Sequence, residues 1–289
     1  MRYFFISLSL FSFSFSYGQN TILWKVTKPN LNYISYLLGT DHSFGESFID
    51  SFQIIKSKIQ KSDIIITETK VDRDQAIEYY NSRTSTNTLS SMVSPEDLEF
   101  IKTILVPVKT SLDKYTPGEL YIKLMAIFPT YKCEVIKRSD KMIMDEYIQF
   151  LGLQEKKKLE YFETNSKQLE MITQATNAYD WKFFKKNIST LLKKFKTQTA
   201  NTKECISSND YFNLKIDYRL GENCDFIKDK NINETLVQKR NNDWLQKIPS
   251  YFDNNNCFIA VGLGHFYNKC GLIEQLKALG YTVEPVTMN

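Results

Sequence analysis

Histidine is almost absent from this sequence: its 289 residues include two, His42 and His265. No two of the five cysteines, Cys133, Cys205, Cys224, Cys257 and Cys270, form a CxxC pair or another zinc-like spacing, so they define no metal site. No cluster of basic residues stands out either. With 37 Lys+Arg against 33 Asp+Glu the chain is nearly neutral, which disfavours a nucleic-acid partner. A composition of 42% hydrophobic and 24% charged residues excludes disorder, a collagen-like chain and a multi-span membrane protein. Beyond residue 18 there is no tandem repeat and no low-complexity segment.

What is present begins with residues 1–18, a single Arg followed by a Phe/Leu/Ile/Ser run that ends in small residues at Ser16 and Gly18. The run is about 14 residues long and Ser-interrupted, short of the roughly 20 needed to span a bilayer. It reads as a signal peptide cleaved before Gln19, so the mature chain is expected to be secreted or periplasmic. In such an oxidising compartment Cys205 and Cys224 form an expected disulfide, because both sit in polar, turn-rich sequence. An odd count leaves a free thiol, and Cys257 within Cys-Phe-Ile-Ala-Val reads as a small buried hydrophobe. The other pairings stay open.

Residues 19–289 suffice for one large domain or a domain with an insertion. Two short strand-like runs, 23–26 and 33–38, flank Pro29-Asn30-Leu31-Asn32, which is turn chemistry, and predict a hairpin. Helical spacing of Phe48, Phe52, Ile55 and Ile59 stops at Lys61 before a buried-strand run over 63–67. From about 72 to 244 helical signals dominate. Helices are expected from Pro95, from Thr116 with its capping-box Glu119, and over 142–154, 166–178, 180–195 and 232–248, with β character at 159–163. Residues 257–261, 272–279 and 281–286 predict strand, helix and strand, with Gly280 stopping the helix. The fold class is therefore α/β: a mixed sheet from the N- and C-terminal segments with a large helical insertion.

Each histidine follows an apolar strand and has a glycine three residues before it: Gly39-Thr40-Asp41-His42 and Gly262-Leu263-Gly264-His265. Given the glycine frequency, both matching by chance is on the order of one in a thousand. Loops leaving the carboxyl ends of neighbouring strands converge on one crevice, so the matched pair predicts one composite site. Glu68, directly after Ile64-Ile65-Ile66-Thr67, is either the first solvated loop residue or a carboxylate held at the sheet edge. With His42 and His265 it makes a two-His, one-carboxylate set of the kind that holds a divalent transition metal with positions open for water.

The sequence resembles the TraB/GumN family, whose animal relatives include the Tiki metalloproteases. The resemblance runs through 23–26, 36–42 and 62–68, then through Leu89-Ser90, Ser94-Pro95-Glu96, Tyr115-Thr116-Pro117, Met144-Asp145-Glu146-Tyr147, Phe162-Glu163-Thr164 with Gln168, and Lys239-Arg240-Asn241. It is most specific at 261–265, Gly271-Leu272, Gly280-Tyr281 and 283–286. It implies that His42, Glu68 and His265 carry activity, as catalytic residues and as ligands of a divalent ion such as Mn, Co or Zn. By the same resemblance Glu163 is a candidate base and Arg240 a candidate oxyanion stabiliser. Asp41 departs from the family pattern and is read as a turn residue rather than an extra ligand.

The expected function is an exported, metal-dependent hydrolase, a peptidase above all, acting on a peptide or small-molecule substrate. The alternatives are a metal-independent hydrolase of erythromycin-esterase type with a His general base, and a non-catalytic metal or haem binder. If Glu68 serves turnover alone, Glu68→Gln is expected to lower activity and spare the melting temperature. The apolar stripe of Trp181, Phe184, Ile188, Leu191, Leu192 and Phe195 opposite lysines marks a core-packing helix, membrane contact being limited to surface docking.

Overall fold

The computed structural model describes residues 20–85, 88–105, 110–197 and 205–288; the segment read as a signal peptide lies outside them. Among the described residues six strands, β1 Leu23–Thr27, β2 Ser35–Thr40, β3 Ile64–Thr67, β4 Lys158–Tyr161, β5 Cys257–Gly262 and β6 Thr282–Pro285, form one sheet. Their order is β4-β3-β5-β2-β1-β6. The expected hairpin forms, with Leu23 opposite Leu38, and Asn30 takes a left-handed φ of 67° in its turn. β2, β5, β3 and β4 are mutually parallel neighbours. A central parallel strand is covered on both faces, which is why β2 and β3 are buried at every position rather than at alternate ones.

β6 pairs antiparallel with β1 and so runs in the same sense as β5. The crossover from β5 through helix Leu272–Ala278 therefore passes over two strands before joining the far edge. Gly280, at φ 85°, terminates that helix in the left-handed conformation expected of it.

The middle of the chain is mainly helical, and the capping box of Thr116 with Glu119 forms as the spacing predicts. The region has its own apolar core, in which Tyr80, Ile101, Leu120 and Leu124 meet Phe184, Ile188 and Leu192 of helix Trp181–Thr197. It is not purely helical. Residues 158–161 form β4 and close one edge of the sheet against β3.

Three local expectations need correction. The helix expected from Phe48 to Lys61 is two, Glu46–Asp50 and Gln53–Lys61, divided where Phe52 leaves helical geometry. The helix expected over 232–248 is a composite of Lys230–Ile232, a π-helical stretch Asn233–Gln238, and Lys239–Leu245. Wide i→i+5 turns of this kind are frequent at functional sites. The cysteines pair as Cys133–Cys205 and Cys224–Cys270, not as Cys205–Cys224. Folding brings the Cα atoms of each bonded pair to 5.5 Å, a distance that local sequence chemistry does not specify. Cys257 is free and buried in β5, as expected.

Candidate functional site

The parallel strands deliver the site. β2, β5, β3 and β4 end on the same edge, and just beyond their last residues lie His42, His265, Glu68 and Glu163 respectively. Both glycines of the paired motifs have a steric reason. A Cβ on Gly39 would sit 2.5 Å from Leu263 Cδ1 and 3.3 Å from the Phe266 ring, so glycine lets the turn that carries His265 lie directly on β2. A Cβ on Gly262 would come 3.2 Å from Glu68 Oε1. Without it, the Gly262 N–H donates to that oxygen at 2.7 Å.

At the centre is a buried guanidinium. Arg240 donates through Nη2 to Glu68 Oε2 and to Glu163 Oε1, each at 2.5 Å, and through Nε to Glu163 Oε1 at 2.9 Å. Its Nη1 donates to the Leu236 carbonyl and faces His265 Nε2, both at 3.2 Å. All five N–H bonds of the guanidinium are thereby engaged inside the protein. Gln168 adds a third donor to Glu68, at 3.0 Å on Oε2. Burial alone would raise the Glu68 pKa, but Arg240 above all, with the two histidines and the Gly262 N–H, holds the carboxyl well below the usual carboxylate range.

His265 is neutral, and its tautomer follows from its neighbours. The Asn241 amide nitrogen donates to the carbonyls of His265 and Cys270, which leaves Asn241 Oδ1 as the acceptor facing His265 Nδ1 at 2.7 Å. Nδ1 therefore carries the proton, and Nε2 presents its lone pair to Arg240. Burial, seconded by the positive charge of Arg240, lowers the His265 pKa to about 3, with Glu68 opposing. Trp244 roofs the arrangement, its ring 4.4 Å from that of His265 and 4.8 Å from the Arg240 guanidinium carbon.

His42 has the opposite character. Its side chain is 62% exposed, and its Nδ1 lies 3.0 Å from Oδ2 of the buried Asp145. The two atoms stand at ion-pair distance without forming an aligned hydrogen bond, and Oδ2 has no other hydrogen-bond partner among the described residues. The other carboxylate oxygen accepts from Thr40 at 3.1 Å. Asp145 raises the His42 pKa above 6.5, aided by Glu68 and Asp41; the water reaching the ring weakens that pull. His42 lines two cavities, one of about 630 Å³ that continues past Gly264 and Tyr267, and one of about 220 Å³ shared with Glu68 and Asp145. Asp41 acts as a turn residue, accepting from the Ser43 N–H at 2.8 Å.

The sequence-predicted residues thus share one strand edge but divide into two parts. Glu68, Glu163, Arg240 and His265 form an enclosed ionic cluster, while His42 faces the open cavities. In this arrangement Glu163 is buried with its Oε1 on Arg240, and the N–H groups of Arg240 are all engaged by partners among the described residues. The divalent ion that the resemblance implies does not fit these donors as arranged. Both Glu68 oxygens already accept hydrogen bonds, and the Arg240 cation lies against Glu68 and His265 together. Among the described residues no group of three or more His, Cys, Asp or Glu is placed to hold a metal. Sequence reasoning assigns no role to Asp145, Gln168 or Asn241, although all three lie in segments that carry the resemblance.

No individually curated protein matches the chain. The extent of a family match settles its membership: the model of the TraB/PrgY/gumN family matches residues 22–285, nearly the whole sequence from β1 to β6, and the chain belongs to that family.

Proposed function

We propose that the protein is an exported hydrolase of peptide or related acyl bonds in which His42 is the general base and Asp145 holds and polarises it. The observation that carries this reading is the His42–Asp145 contact at 3.0 Å, with the carboxylate buried, the imidazole open, and a cavity on either side of the ring. In neutral His42 with its proton on Nδ1, the nitrogen beside Asp145 Oδ2, Nε2 is left to accept a proton from water. The water oxygen then bonds to the substrate carbonyl carbon. As the C–N or C–O bond breaks, the same imidazolium returns the proton to the leaving group.

The enclosed cluster has a different task. Glu68, fixed by Arg240, Gln168 and Gly262, places a full negative charge beside the cavity that it shares with His42, favouring the imidazolium that forms when water is deprotonated. His265 closes the cluster as a neutral acceptor. Export rests on the reading of residues 1–18 and agrees with two disulfides in a chain of this size. Among the described residues no helix is long and apolar enough to cross a membrane.

The deciding experiment is a screen of peptide and ester substrates on untagged wild type and His42→Ala, each with and without chelator. Turnover that survives the chelator and is lost in His42→Ala is the expected result. Chelator-sensitive turnover restored by Mn²⁺, Co²⁺ or Zn²⁺ would overturn it, and would require Arg240 to leave Glu68 and His265.

A further inference from the structure

The 630 Å³ cavity beside His42 does not end at the sheet. It reaches helix Pro117–Lys132, where Met125 and Pro129 form part of its wall. The same two residues line a second cavity of about 360 Å³, between that helix and helix Trp181–Thr197. Both volumes fall within the ~300–1,000 Å³ usual for ligand sites. Tyr121, Phe128 and Leu191 give the second cavity its larger, apolar wall, and Asn187, Thr190 and Lys194 its polar side. Met125, 48% exposed, stands at the junction, so a chain lying along the surface would pass from one cavity to the other over its side chain.

The junction also has a polar feature that selects the kind of chain. Pro129 lies inside the helix and has no N–H, so the Met125 carbonyl is denied the donor that residue i+4 supplies elsewhere in an α-helix. An acceptor short of its helical donor, on an exposed turn between a cavity lined by the proposed base and an apolar one, suits a backbone N–H of an extended peptide. An acyl chain offers no such donor.

We infer that the cavity between helices Pro117–Lys132 and Trp181–Thr197 is a remote substrate subsite, which takes an apolar side chain of an extended peptide whose scissile bond lies at His42. This deepens the hydrolase reading and rests on it for the assignment of the His42 cavity. Such a subsite would give specificity for a position several residues from the cleaved bond.

The test separates binding from turnover. Fluorescein-labelled decapeptide pools, each with one position fixed as Leu, Phe, Ser or Asp, are titrated by anisotropy onto full-length His42→Ala protein, alone and combined with Thr190→Trp or Thr190→Ala. Thr190 is exposed at the rim, so the tryptophan fills the cavity without entering the core. The expected result is one position at which Leu or Phe binds about tenfold tighter than Ser, a preference lost in Thr190→Trp and kept in Thr190→Ala. No positional preference, or one indifferent to Thr190→Trp, overturns the subsite. Tighter binding of a fluorescent fatty acid that Thr190→Trp abolishes, with no peptide preference, also overturns it in favour of an acyl chain. Because anisotropy needs no cleavage, a Thr190-sensitive preference together with no turnover by wild type in the substrate screen would refute the hydrolase reading and leave the peptide-binding cavity standing.

Discussion

His42 Nδ1 and Asp145 Oδ2 lie 3.0 Å apart, and the pair joins a side chain open to solvent to a carboxylate that is buried. The carboxylate comes from helix Met144–Gln154, not from the strand edge, and Thr40 fixes its other oxygen. Asp145→Asn removes the charge while keeping the shape. Turnover should fall by about a hundredfold, the range over which a positioned general base acts. Rates near wild type for the Asn variant would remove Asp145 from the mechanism.

The same pair sets the pH dependence. Neutral imidazole accepts a proton and the imidazolium does not, so kcat/KM should rise with pH through the His42 pKa. Asp145, Glu68 and Asp41 all raise that pKa, which places the limb above 6.5. In Asp145→Asn the residual activity should show the limb displaced downward. A pH profile with the limb unmoved would mean that another group titrates.

Glu68 is tied to stability as well as to chemistry. Sequence reasoning expects Glu68→Gln to spare the melting temperature, but the carboxylate is buried against Arg240 at 2.5 Å. Removing one partner of a buried ion pair leaves an uncompensated charge and costs about 3–5 kcal/mol. Glu68→Gln should therefore lower both turnover and the melting temperature, and Arg240→Met should be at least as destabilising. Thermal melts of both variants decide the matter; a wild-type melting temperature in each would show that the cluster contributes no net stability.

Acid should unfold the protein in two stages. The folded pKa of His265 is depressed to about 3, so its contribution is present above the unfolded value of 6.5 and is lost as pH falls from there towards 3. Glu68, also depressed, keeps its contribution above 4.5 and loses it below. Denaturant midpoints should begin to fall near pH 6.5 and steepen below 4.5. In His265→Gln the first stage should vanish and the second remain.

The two disulfides should separate stability from activity. They enclose 72 and 46 residues of sequence separation, for which chain entropy gives similar stabilisation, about 4 kcal/mol each. Only Cys224–Cys270 lies beside the site: the Cys270 carbonyl accepts from Asn241, which also holds the His265 ring, and the Cys224 carbonyl accepts from Asn233 and Gln238 in the turns before Arg240. Replacing either pair with serines should lower the melting temperature comparably, while only the Cys224/Cys270 variant loses activity beyond its loss of folded protein. Equal specific activity in both would show that this bridge does not position the site.

Periodicity and turn chemistry by themselves determined the sheet-forming segments, the helical character of the middle and the strand-end addresses of His42, Glu68 and His265. Those signals are local: buried parallel strands read as apolar runs, and the residue after such a run stands at a strand end. Even the glycines were legible as a pair. What they are for was not, because the atoms they make room for, Leu263 and Phe266 at Gly39 and Glu68 at Gly262, arrive from other strands. Only the tertiary structure decided that Arg240 stands between Glu68 and His265, that Asn241 fixes the His265 tautomer, and that Asp145 stands behind His42. It also decided which cysteines pair. Each of these depends on directions and distances between elements far apart in sequence, and a charge whose nearest neighbours are unknown has neither a settled protonation state nor a settled role.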